Sequence, residues 1–201
     1  MEKLDGKNKS LNEQINILKN ILFLNPRFKK VLSILQKSGL KNYYVAAGSI
    51  NQTVFNYYND LDLEHGISDI DIVYFDEDIS YEAEDKIIKY LLKILKDINI
   101  DFDIKNQARV HLWYKNEFGN ERPPYVSVEH AIGTWGSTVT CVGVRLENDD
   151  FVVYAPYGLN DIFSQTLRPV KSGCFTKEGY NTKTNKWKNK WPSLTIIPWD
   201  K

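Results

Sequence analysis

Two carboxylates one residue apart, Asp69 and Asp71 in the run Ser68-Asp69-Ile70-Asp71-Ile72-Val73-Tyr74, are the side chains of this chain best arranged to do chemistry. On an extended strand alternate side chains share a face, so the two stand side by side. Like charges at that separation raise each other's pKa and cost stability unless a shared proton or a cation relieves them. A divalent ion is the simplest relief, and hard oxygen ligands favour Mg2+ or Mn2+. The same spacing recurs in Ile100-Asp101-Phe102-Asp103-Ile104. Upstream, Gly48-Ser49 lies between the apolar run Tyr43–Ala47 and an apolar-periodic segment, which reads as a strand-to-helix turn. Backbone N–H groups at such a helix start attract phosphate. Arg109 offers a forked guanidinium to phosphate oxygens. His111, two residues on, stays open between a substrate contact and a buried, hydrogen-bonded histidine.

The elements that must hold these groups follow from periodicity. Residues 10–22 form a helix with Ser10 as N-cap and Glu13 completing a capping box; Pro26 opens a second helix that Gly39 ends. A first strand over 43–47 leads through the Gly48-Ser49 turn into a helix from Ile50 to about Asn59. The polar loop 60–66 holds three acids and His65, which reads as exposed. The strand with Asp69 and Asp71 comes next, then a helix over 81–96 presenting Ile87, Ile88, Leu91, Leu92 and Leu95 on one face. A third strand spans 100–104, and Asn106 caps a helix that begins at Gln107. A strand, helix and strand in this order form a right-handed crossover in one sheet. A short helix over 127–132 and strands over 138–146 and 151–155, joined by a hairpin at 147–150, follow. Trp113 and Tyr114 read as core or wall. Lys183, Lys186, Lys188 and Lys190, interleaved with Trp187 and Trp191, suit lysine stems covering a core edge better than a nucleic-acid-binding helix.

With 201 residues, 42% of them hydrophobic and 26% charged, the chain has the composition of a globular domain with a sizeable core. Net charge is zero but uneven: residues 60–103 hold fourteen acids against four bases, between basic flanks. That distribution suits a metal site bordered by phosphate-binding side chains, and the neutral total argues against a long nucleic-acid track. No apolar run reaches membrane-spanning length and residues 1–9 are polar, so a cytoplasmic protein without a membrane partner is expected. Cys141 and Cys174 lack metal-ligand spacing and read as reduced thiols.

At Gly48-Ser49 and Asp69-x-Asp71 the chain resembles the nucleotidyltransferase superfamily that includes DNA polymerase beta. The wider stretches Ala47–Asn56, Ser68–Asp76, Lys105–Tyr114, Val142–Arg145, Tyr154–Phe163 and Ile197–Asp200 are similar to a bacterial group of small stand-alone nucleotidyltransferases. Residues 154–163 with Leu167-Arg168-Pro169 are also similar in pattern to a loop of tRNA nucleotidyltransferases. The resemblance implies an α/β (α+β) polymerase beta-like fold, a mixed twisted sheet with helices mainly on one face. Residues 1–40 would be a helical segment packed on a nucleotidyltransferase domain of residues 41–201. It implies transfer of a nucleoside monophosphate from a nucleoside triphosphate to a hydroxyl acceptor, a small molecule, protein or tRNA, with release of pyrophosphate. Two Mg2+ or Mn2+ ions would be held by Asp69, Asp71 and a third carboxylate. Asp103 is favoured for that place because it adjoins the matching Lys105 block, with Asp101 as the alternative. Gly48, Ser49, Lys105, Arg109 and His111 would be the substrate-binding residues. Rival readings are a catalytically silent binding module of the same fold and a toxin-type transferase acting on tRNA or protein.

Overall fold

Local sequence starts each element where its polar groups can be satisfied. In the computed structural model, which describes residues 3–119, 121–172 and 175–201, Ser10 caps α1 (Leu11–Leu24) by accepting the Glu13 N–H while the Glu13 carboxylate returns to the Ser10 N–H. The Asn25 side chain accepts from Arg27 N and Phe28 N to start α2 (Pro26–Gln36), whose first residue needs no donor partner because it is proline. Cys174 lies outside the described residues.

The central sheet has five strands in the order β3-β2-β1-β4-β5. β1 (Tyr43–Ala46) lies antiparallel to both β2 (Asp69–Tyr74) and β4 (Gly143–Glu147), and β4 turns into β5 (Asp150–Tyr154). Helix α4 (Tyr81–Leu95) carries the chain from β2 to β3 (Asp101–Asn106), which therefore run parallel. This mixed sheet is the architecture that the resemblance implies.

Strand alternation divides the core. Tyr43, Val45, Ile70, Ile72 and Tyr74 pack with α1, α2, α4 and α3 (Gly48–Tyr58) in one apolar cluster that includes Leu18, Leu22, Phe28, Leu32, Val54 and Leu91. Tyr44, Ala46 and Val73 point the other way, into a smaller cluster with Val128 and Ile132 of the five-residue α6 (Val128–Ile132). The face carrying Val73 also carries Asp69 and Asp71. Light cover there leaves room for a cleft.

A 3₁₀ turn (Gln107–Arg109) leads from β3 into α5 (Val110–Phe118), and Asn106 caps the turn by accepting from Ala108 N. After α7 (Asn160–Phe163) come β6 (Thr166–Leu167), α8 (Lys177–Lys190) and β7 (Thr195–Ile196); β6 and β7 pair in a small parallel sheet. The buried Trp191 indole donates to Asn56 Oδ1 at 2.7 Å, and Asn56 Nδ2 donates to the Leu63 and His65 carbonyls. One asparagine thus ties together α3, the 60–66 loop and the residue that ends α8.

Two expectations fail locally. The strand expected from Thr138 begins only at Gly143, because the Thr140 hydroxyl and the Cys141 N–H return to the Ser137 carbonyl and close a turn. Gly143 fits because a Cβ there would stand 2.8 Å from the Cβ of Tyr44. Leu92 is 44% exposed rather than part of the apolar face of α4. It lies one residue, about 100° of helix, from buried Leu91.

Candidate active site

Parallel pairing sets Asp71 opposite Asp103 and Asp69 opposite Asp101. In-register neighbours on adjacent strands point to the same side, so all four carboxyls share one face. Asp69, Asp71 and Asp103 converge there, each offering a carboxylate oxygen, and these oxygens lie within 4.8 Å of one another. Asp101, at the exposed start of the edge strand, stands outside that group. Ser68 Oγ donates to Asp69 Oδ1 at 2.6 Å. Burial, aided by the charges of Asp69 and Asp103, pushes the Asp71 carboxyl up from 3.8 to about 7, with Lys183 and Lys105 pulling it back.

These groups sit in a cleft of about 460 Å³. Lys105, two residues after Asp103 and so on the same face, places Nζ on Asp103 Oδ2 and 5.8 Å from the Trp113 ring centre. Lys183 enters from α8 with its Nζ 5.2 Å from the Trp187 ring centre. The residue as a whole is exposed, yet protein surrounds the amine on enough sides for burial to push its pKa down, against the pull of Asp71, Cys141 and Asp69. Arg122 stacks its guanidinium on Tyr125, 3.4 Å from the ring centre, and the aromatic wall continues through Trp113 and Tyr114. The Cys141 thiol donates to the Trp135 carbonyl, and burial lifts its pKa to about 12, so it stays protonated.

The other expected site residues divide. Gly48 lines the cleft at the start of α3. The conformation that turns strand into helix is carried one residue earlier, by Ala47 at φ 56° and ψ −127°, rather than by Gly48. Ser49 is buried outside the cleft lining, its hydroxyl without a hydrogen-bond partner among the described residues. The helix has rotated it about 100° away from Gly48. One turn on, Gln52 comes back to the cleft with its buried carbonyl oxygen likewise unpartnered.

Arg109 does not reach the cleft. Its guanidinium pairs with Glu84 of α4, with both side chains nearly buried, and its Nε donates to the Ile79 carbonyl at 2.9 Å. The other Glu84 oxygen accepts the Asn106 N–H, so this ion pair fastens α4 to the end of β3. His111 also lies outside the cleft lining, with a buried Nδ1 that has no partner among the described residues. His65 is exposed at its loop, edge-on to Trp191.

Sequence reasoning missed Lys183, Gln52 and Arg122. The spacing of Gln52, one turn after the glycine, was a usable signal. Nothing near Lys183 in the sequence indicates that it meets residues 69–71. Three hard carboxylate oxygens on two rigid strands, one on a carboxyl already burdened by its neighbours' charge, fit a divalent cation. No helix among the described residues is long and apolar enough to cross a membrane.

A family model described as a nucleotidyltransferase matches residues 33–196. A solved structure whose title reads "The NMR structure of the protein reveals a CCA-adding enzyme head domain" is 29% identical, with a TM-score of 0.74 over 96% of this chain and 100% of that one. A search of curated proteins gave no match.

Proposed function

Because the chain belongs to the nucleotidyltransferase family, within the polymerase beta-like superfamily, we propose that it transfers a nucleoside monophosphate from a nucleoside triphosphate to a hydroxyl acceptor. The acceptor oxygen bonds to the α-phosphorus as the bond to the bridging oxygen of pyrophosphate breaks. The hydroxyl proton passes to the cleft carboxylates and on to water. The observation that carries this reading is the convergence of Asp69, Asp71 and Asp103 beside the start of α3.

Asp69, Asp71 and Asp103 would hold Mg2+ or Mn2+, which supplies neutralisation of phosphate charge and activation of the acceptor oxygen. The N–H groups that open α3 at Gly48 face the phosphates. Lys105 and Lys183 add positive charge, and Trp113, Tyr114 and Arg122 offer flat surfaces to the base. The chain supplies position and field rather than a covalent intermediate.

A nucleic-acid groove along α8, which a toxin-type transferase on tRNA would need, has little support from its lysines. Lys183 turns into the cleft, Lys188 donates to the Pro192 and Leu194 carbonyls, and Lys190 to the Gly66 carbonyl.

The test supplies each α-labelled nucleoside triphosphate with Mg2+ or Mn2+ and a cell extract as acceptor source. Labelled product and pyrophosphate are expected from the parent. Asp103→Asn should keep triphosphate affinity within a few-fold and lose transfer about a hundredfold, roughly 3 kcal/mol of transition-state stabilisation. Asp101→Asn, with the same charge change outside the triad, should stay active. A parent that transfers no label with any triphosphate overturns the reading.

A further inference from the structure

Asp103 is already occupied by a side chain of its own strand. Lys105 stands two residues on, on the same face of β3, with Nζ against Asp103 Oδ2. The period of two makes the contact a direct product of local sequence. Its two members are 44% and 37% exposed, so water reaches both and the pair is held loosely. The ammonium also lies over the Trp113 ring and lines the cleft in which phosphates would sit. Among the described residues Asp69 and Asp71 have no such ion-pair partner: Asp69 accepts a neutral hydroxyl, and Lys183 approaches Asp71 from another element.

Resting on the transferase reading, we propose that Lys105 is a transferable counter-ion that covers Asp103 until triphosphate arrives, so that nucleotide binding precedes full metal loading of the carboxylates. Without nucleotide, the ammonium and a divalent cation compete for one carboxylate, and the cation is disfavoured both by occupancy and by like charge. Triphosphate carries several negative charges into the cleft and draws Lys105 from a weakly held partner. The released Asp103 oxygen then joins Asp69 and Asp71. The coupling is reciprocal: metal bound at Asp103 strengthens triphosphate binding by the same factor that triphosphate strengthens metal binding, and in Asp103→Asn the loss of that metal is offset by the freeing of Lys105 for the phosphates. One consequence is order of binding. Another is that, without nucleotide, Asp103 stays paired with Lys105 rather than with an ion.

Mn2+ binding read by electron paramagnetic resonance tests this in the full chain, with and without a non-hydrolysable nucleoside triphosphate analogue. In the parent, the analogue should raise Mn2+ occupancy beyond the ions that it brings itself. Lys105→Met, which keeps the stem and removes the charge, should raise Mn2+ affinity without nucleotide by about tenfold, within the usual range of coupling between sites. Lys105→Arg should keep the parent's low affinity, and Asp103→Asn added to Lys105→Met should cancel the gain. Unchanged or weaker Mn2+ binding in Lys105→Met, while the parent still binds the analogue with Mn2+, overturns the counter-ion role alone. Failure of the parent to bind Mn2+ and the analogue together overturns the transferase reading and this role with it.

Discussion

Burial and two neighbouring carboxylates hold the Asp71 carboxyl near 7, well above its ordinary 3.8. Between about pH 4 and pH 7 the folded protein therefore keeps a proton that the unfolded chain has released, and native stability falls as pH rises through that window. The effect is about 2–4 kcal/mol, the lower figure allowing for water in the cleft. Chelator-treated protein should melt at lower temperature at pH 8 than at pH 5, and Asp71→Asn should flatten that difference while weakening Mn2+ binding. A flat profile in the metal-free parent contradicts it. Arg109 makes the opposite kind of prediction. Removing it leaves Glu84 charged and nearly buried, so Arg109→Ala should cost about 3 kcal/mol of stability in denaturant unfolding. Triphosphate affinity of the folded fraction should be unchanged; a selective loss of affinity would return Arg109 to the site.

The junction between β1 and α3 shows what a pattern of residue types reveals and what it hides. Apolar runs and a Gly-Ser pair mark the turn, but the demanding conformation falls on Ala47, whose positive φ an L-residue adopts only at a cost. Ala47→Gly removes that strain and gives back part of the gain as unfolded-chain entropy, leaving about 1 kcal/mol of net stabilisation. Calorimetry should show a melting temperature higher by roughly 2–4 °C. A lower melting temperature would mean that the Ala47 methyl group contributes more packing than its backbone loses. Strong periodicity made α1, α2, α4 and the β2–α4–β3 crossover legible, whereas the preference for Asp103 over Asp101 came from the resemblance, and only the strand register sets Asp103 opposite Asp71. The start of β4 was not legible, because the run from Thr138 to Val142 has strand-like residue types while the Thr140 hydroxyl bonds back to the Ser137 carbonyl and the Thr138 hydroxyl donates to Asp161. Arg109 misled for a related reason: a guanidinium suits phosphate in the abstract, and only the packing of α4 supplies Glu84 as the nearer anion.

Residues far apart in the chain complete the cleft. Carboxylates come from β2 and β3, while Lys183 and Trp187 arrive from α8, held in place by Trp191 on Asn56. Trp191→Phe keeps a ring and removes the N–H, leaving the buried Asn56 oxygen unpaired at a cost of about 1–3 kcal/mol in denaturant unfolding. Unchanged stability would mean that water or a shifted neighbour replaces the bond. No local pattern foretells this latch, since its partners are 135 residues apart. That separation also sets a hierarchy in time. Contacts that close long stretches of chain lose the most entropy before any return, so the α8 wall docks after the β1–β2–β3 unit and departs before it. Hydrogen exchange should show amides of α8 opening at lower free energy than those of β1 and β2. In such an opening the acidic face stays assembled while its outer cation moves off, so the potential over Asp69, Asp71 and Asp103 turns locally more negative although the net charge of the chain stays at zero.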